Sequence, residues 1–503
     1  MSGRCKFLST REMADLIPDG ATLAVTGSGG GLMEPDEILK AIEARFKATG
    51  HPRDLTVFHT FGLGDGQDKG MNRLAHEGLV KCVIGGHWSW SPRMQELAET
   101  NQISAYALPT GVMGLLLRET GAGRPGLITK TGLGTFVDPE HGGGRLNEAA
   151  IATLVERLEI DGETYLRYKP IPIDFAIVRG TSVDRLGNIT AREEPADLDV
   201  FSMCLAAHNS GGSVFVQTRD QLDVIPARSV TLPRALVSAV AIVPIQEQTY
   251  LGGYRTDFAG AAPAQIKPSQ APTGIRAVIA RRAALEMPEQ GVVNLGFGIS
   301  ASVTCFTDVD PATLTVCAEQ GIYDGVMETG PLFGISSGPT AIIPATSQFD
   351  FYSGGGLDAT FLGMAEMDGA GNVNVSHLGA RPVGPGGFID ISQNARKVVF
   401  CGTFDAKGSD IEVVSGGLQI HKHGAVKKLV ENVRAITFSG VQALAAGAEV
   451  FYVTERAVFR LTADGVELCE VAKGLDIERD VLSRMGFAPI VREVRQMPTS
   501  VFE

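Results

Sequence analysis

Apolar residues along this chain come in short runs rich in valine, isoleucine, leucine and threonine, and glycine or proline closes most of them. Residues 21–26, 54–59, 80–84, 213–217, 292–295 and 313–317 read as strands of an open α/β sheet. Helical spacing is expected over 11–16, 35–46 and 282–287. The segment 106–111 reads as an apolar run that ends in a turn, 121–144 as a long glycine-rich connection, and 163–191 as a β-meander with a turn at 184–188. The run 235–245 is broken by Ser238 and Pro244 and is too short to span a bilayer, so it is expected to be a core strand.

The order of elements recurs. Helix, turn, strand and glycine loop over 11–31 return over 282–298; 358–375 echoes 174–190, and 393–400 echoes 208–217. Unequal spacings make this a divergent duplication and not a short-period solenoid. The fold class expected is α/β, two similar open-sheet domains in tandem around an interdomain cleft. The domains are 1–255 and 274–503, joined by a linker at 256–273 with turns at Pro263, Pro268 and Pro272.

Composition then excludes several classes. The chain has 503 residues, more than one core usually organises, with 44% hydrophobic and 20% charged residues, ordinary for a globular protein. A formal net charge of −13 leaves no surplus of Lys and Arg to bind nucleic acid or anionic membrane nonspecifically. The seven cysteines form no Cys-x-x-Cys, so neither a disulfide framework nor a zinc ribbon is expected. The first ten residues lack the apolar core of a secretory signal. A cytoplasmic protein is expected.

Candidate chemistry centres on Glu319, which stands where the strand 313–317 runs out before Gly321. The crevice beyond the carboxyl ends of strands is where open α/β sheets bind ligands, so a carboxylate there is placed for chemistry. Glycine loops at 27–31 and 62–66 follow two strands of the first half and point to one shared crevice, with backbone N–H groups near a helix start. Leu32 stands where a dinucleotide fingerprint needs its third glycine. Loops at 353–358 and 384–390 flank strands of the second half, and bare N–H groups there would serve an oxyanion. His87 offers a general base, though a lone His beside Trp88 is more often structural. Gly334, Ser336 and Gly338 fit G-x-S-x-G, but flanking prolines deny the strand and helix that a nucleophile elbow needs. Cys317 shares a strand face with Glu319, where burial is the usual fate of cysteine. His421 and His423 lack further ligands nearby and read as a solvated turn.

Residues 75–88, 132–139, 318–321, 348–358, 371–376, 386–391 and 399–403 together resemble the class I coenzyme A transferases, closest to the acetate and propionate branch. The resemblance spans nearly the whole chain. It implies that Glu319 is the catalytic nucleophile and that the Gly387 N–H holds the oxyanion. It also implies that Gly386, Gly354, Gly355, Gly356, Gly29 and Gly30 line the coenzyme A site, with Thr110 and Gly298 in the substrate pocket. The implied reaction is ping-pong transfer of coenzyme A from a short-chain acyl-CoA to a carboxylic acid, through an acyl-glutamyl anhydride and a glutamyl-CoA thioester. No cofactor beyond coenzyme A as substrate, no metal and a homo-oligomer, dimer or tetramer, go with it. Thr110 replaces a Gln common in the family, and Ser300 replaces a Pro, which points to an unusual acyl pocket. An acyl-CoA hydrolase using the same glutamate, or a ligand sensor on the same fold, are the alternatives.

Overall fold

The computed structural model describes residues 5–263, 271–379 and 381–503. Two large sheets organise them. The first has eight strands, all parallel, in the spatial order Lys6–Phe7, Ala239–Ile242, Ser213–Thr218, Phe175–Arg179, Thr22–Val25, Leu55–His59, Val80–Gly85 and Ser104–Ala107. Parallel strands are buried on both faces and read as unbroken apolar runs. That is why Phe175-Ala176-Ile177-Val178 belongs here. The expected meander over 163–191 is corrected accordingly: Glu163–Tyr168 pairs with Val155–Ile160 in a separate hairpin, and Ser182–Asp184 with Ile189–Thr190 in a small sheet of three strands.

The second sheet has ten strands, with a parallel centre in the order Leu314–Ala318, Gly291–Leu295, Ala359–Gly363, Lys397–Cys401 and Glu449–Val453. Reading 55, 22, 175, 213, 239 in the first sheet against 314, 291, 359, 397, 449 in the second gives the same spatial order of corresponding strands. Antiparallel strands extend both sides of the second sheet. Of the linker expected at 256–273, residues 264–270 lie outside the described residues. No helix among the described residues is long and apolar enough to cross a membrane.

Helices follow the apolar pattern. Asp36–Thr49 buries Ile38, Leu39 and Ile42 and ends on Gly50 in the left-handed region. The segment after Ala107 is not the expected turn: Thr110–Gly121 is a helix, buried along most of its length. Its glycines at 111 and 114 leave room for close neighbours, and a Cβ on Gly111 would overlap the Phe349 ring. Glycine here serves packing and does not end the helix.

Candidate active site

Both sheets present the carboxyl ends of their central strands to one cavity of about 600 Å³. The first half contributes Ser28 and Gly29 after Thr22–Val25, Phe61 and Gly62 after Leu55–His59, His87 and Trp90 after Val80–Gly85, and Thr110 at the start of its helix. From the second half come Leu295, Gly296 and Phe297 after Gly291–Leu295, Glu319 after Leu314–Ala318, Leu362 at the end of Ala359–Gly363, and Gly386, Gly387 and Phe388.

Glu319 is half-buried in the wall, and the Gly387 N–H donates to its carboxylate. A Cβ on Gly387 would overlap Glu319 Oε2, so only glycine lets the two meet this closely. Burial pushes the Glu319 pKa up to about 7, with the Gly387 N–H pulling the other way. His87 lines the same cavity. Burial, aided by nearby His59, pushes it down to about 4, so it is neutral at pH 7. Among the described residues no Lys or Arg stands in the cavity wall.

The segment that carries Gly387 is fastened to the first half. The Gly386 N–H donates to Gly86 O (2.9 Å), and the Thr110 N–H donates to Gly386 O (2.9 Å). Thr110 Oγ1 donates to Thr60 O (2.9 Å), so this buried threonine faces the cavity with its hydroxyl already engaged. Behind the first-half loops lies Glu34, fully buried, whose carboxylate accepts from Gly64 N–H (2.8 Å) and Tyr250 Oη–H (2.8 Å). Burial raises its pKa to about 8. The glycines of the 27–31 loop are explained by this packing. A Cβ on Gly27 would overlap Glu34, one on Gly29 the Trp90 indole, and the Gly30 N–H is taken by Gly64 O (3.0 Å). The loop is a crossing point of side chains, and the Gly30 N–H is not free for an anion.

Of the residues expected at the site, Glu319, Gly387, Gly386, Gly29 and Thr110 meet in the cavity wall. Gly30 stands just behind it, where its carbonyl accepts from Tyr250 N–H (2.8 Å). Gly298 is outside the wall, to which its loop contributes Gly296 and Phe297 instead. Gly354, Gly355 and Gly356 are not brought there. They close the helix Ala345–Ser353 and lead into the amino end of Ala359–Gly363, whereas the cavity lies at the carboxyl ends. Trp90, Phe61, Phe297 and Phe333 line the cavity without having been singled out; Trp90 follows the motif ending at Trp88 by two residues, which was the one available signal. The rivals fall away on geometry. Cys317 is buried, donates to Val293 O (3.5 Å), and has its thiol pushed up to about 12. Ser336 is buried in a two-residue strand with its hydroxyl on Met327 Sδ (3.0 Å).

Residues 8–241 match a family model described as "Coenzyme A transferase". The chain is 40% identical over 511 residues to "Acetate CoA-transferase YdiF" of Escherichia coli (strain K12), covering 100% of this chain and 96% of that protein. It is 41% identical over 516 residues to "Caffeate CoA-transferase" of Acetobacterium woodii, covering 99% and 97%. The crystal structure of the acyl-CoA transferase YdiF of E. coli O157:H7 in a thioester complex with CoA superposes with a TM-score of 0.93 at 38% identity, covering 99% of this chain and 96% of that one.

Proposed function

Because the chain belongs to the coenzyme A transferase family and is a CoA-transferase, we propose that it moves coenzyme A from an acyl-CoA to a monocarboxylic acid, with Glu319 as covalent nucleophile. The observation that carries this reading is Glu319 at the mouth of a strand, inside a cavity shared by both halves, with the Gly387 N–H on its carboxylate. The named substrates of the two relatives, acetate and caffeate, differ greatly in bulk but have one carboxylate each. The structural neighbour's thioester complex with CoA agrees with a covalent route.

In that route the Glu319 carboxylate attacks the thioester carbonyl carbon, and the oxyanion that forms is held by the Gly387 N–H. Such a donor is worth about 3 kcal/mol in a transition state. The C–S bond breaks, leaving an acyl-glutamyl anhydride and the CoA thiolate. Thiolate attack on the glutamyl carbonyl expels the first acid as its carboxylate and gives glutamyl-CoA. A second carboxylate reverses the two steps and leaves as the new acyl-CoA. Charge balances throughout, and the free energy of the thioester is kept in covalent form, so the route calls for neither ATP nor a metal. Both intermediates hydrolyse readily, and an enclosed cavity keeps water from them.

The test is incubation with an acyl-CoA and no acceptor acid. Mass spectrometry should find CoA attached through Glu319. Label on Cys317 or Ser336 overturns the mechanism, and steady release of CoA without acceptor makes the protein a hydrolase.

A further inference from the structure

We propose that Asp390 is a positioning residue for the transfer reaction: it ties the segment carrying the Gly387 N–H to the start of the helix Thr110–Gly121 and so sets where that N–H meets Glu319. This rests on the reading of Glu319 as nucleophile.

The opening N–H groups of a helix have no partner within it, and Pro109 at the cap position has no side-chain acceptor to offer. Asp390, 278 and 279 residues away in sequence, supplies the acceptors. Its Oδ2 accepts from Gly111 N–H (3.1 Å) and its Oδ1 from Val112 N–H (3.0 Å). The carboxyl group is buried, only 2% exposed. No hydrogen bond or ion pair joins it to a cation among the described residues, and Glu319 beside it is a like charge. Burial pushes its pKa up to about 8 against the pull of the two N–H groups. A buried acid without a cation is costly, and part of that cost is offset because the Gly111 and Val112 N–H groups would otherwise be buried without acceptors. What the acid provides is direction. Both oxygens are held by adjacent N–H groups of one rigid helix. Asp390 itself lies three residues from Gly387 on the helix Phe388–Asn394, where the Ile391 N–H donates to Gly387 O (2.9 Å).

The neighbouring bonds of Gly386 to Gly86 and Thr110 fix the other side of the same segment. Gly111 makes the approach possible, since a Cβ there would stand 2.6 Å from Asp390 Oδ1. The N–H that serves the oxyanion is therefore located by one half of the molecule, while Glu319 is delivered by a strand of the other. The same link makes the site depend on how the halves are joined.

The test compares the intact protein with Asp390→Asn and Gly111→Ala. The amide of Asn presents one acceptor and one donor to two N–H groups, and the added methyl of Ala displaces the carboxyl group, and the Phe349 ring with it, without changing its chemistry. A displacement of about 1 Å at a well-oriented site costs on the order of 100-fold. Each variant, with its cooperative melt checked by circular dichroism, is expected to lose ~10- to 100-fold in kcat, with KM for acetyl-CoA within about twofold of the parent. Attachment of CoA to Glu319 in a single turnover should slow in proportion. Should Asp390→Asn not fold, Asp390→Glu, which keeps both acceptors and moves them by about one bond, takes its place beside Gly111→Ala. A folded variant with kcat within twofold of the parent overturns the proposal, and so does a raised KM at unchanged kcat, which would mark a binding role. If the parent forms no adduct at Glu319, the nucleophile reading fails and takes this one with it. If the parent forms it and Asp390→Asn forms it as fast, only the positioning role fails.

Discussion

As the proposed nucleophile, Glu319 has to be strongly nucleophilic and still be ionised at working pH, and burial bears on both. A carboxylate whose pKa is pushed up to about 7 holds its electron pair less tightly than an exposed one, yet about half is ionised at neutral pH. The sign of the pH dependence follows, because attack requires the deprotonated form. Log kcat/KM for the acyl-CoA should rise by about one per pH unit below about 7 and level off above it. Asp390, pushed up to about 8 by burial and in smaller part by Glu319, couples to it, so the limb near 7 belongs to the pair and not to Glu319 alone. His87, held neutral, adds no second limb in this range. Initial rates from pH 5 to pH 9 measure the profile, and a flat one would mean that Glu319 is not the group whose ionisation limits attack.

At the level of elements, strand ends carried most of what the sequence made legible. Glu319 was visible because a β-branched run stops at it and glycine follows, and the crevice rule then gave its surroundings. The glycine loop at 354–356 has the same composition as its counterparts but precedes its strand, which sends it to the far end of the sheet. The helix Thr110–Gly121 was hidden by its glycines and by a cap supplied from almost 280 residues away, a contact no local pattern records. Asp390 was hidden for the same reason: within its own segment it resembles any polar residue of a short helix. At Gly387, by contrast, element and chemistry coincide, since the residue that begins Phe388–Asn394 leaves space for the Glu319 carboxylate. Gly387→Ala puts a methyl into that space, so kcat should drop on the order of 100-fold through misplacement of the nucleophile. Circular dichroism should show the fold intact, because the residue's φ of −84° suits any amino acid. A folded Gly387→Ala protein with parental kcat would show that Glu319 does not work in this position.

The whole molecule is two sheets of matching strand order whose carboxyl ends face one space, and on the proposed function the lining of that space predicts which acids serve as acceptors. Phe61, Trp90, Phe297, Phe333, Leu362, Val383 and Ile391 supply an apolar wall, and the described residues place no Lys or Arg in it. An acid whose tail is uncharged spends its single carboxylate in the reaction and can lay the rest against this apolar part of the wall. A dicarboxylic acid would have to bury its second carboxylate beside Glu319 with no cation to receive it, at an effective cost of several kcal/mol. The volume of about 600 Å³ leaves size a weaker constraint than charge. With a common acyl-CoA donor, acetate, butyrate and an aromatic monocarboxylate should therefore serve as acceptors. Succinate should be poorer than butyrate by on the order of 100-fold or more in kcat/KM, since each 1.4 kcal/mol is a factor of ten. Adding one positive charge to the wall gives the complementary arm: Val383→Lys should narrow the gap between succinate and butyrate while lowering kcat/KM for butyrate. Equal use of succinate and butyrate by the parent protein would mean that the acyl tail lies outside this cavity, for the electrostatic cost inside it falls on any second carboxylate whatever the length of its chain.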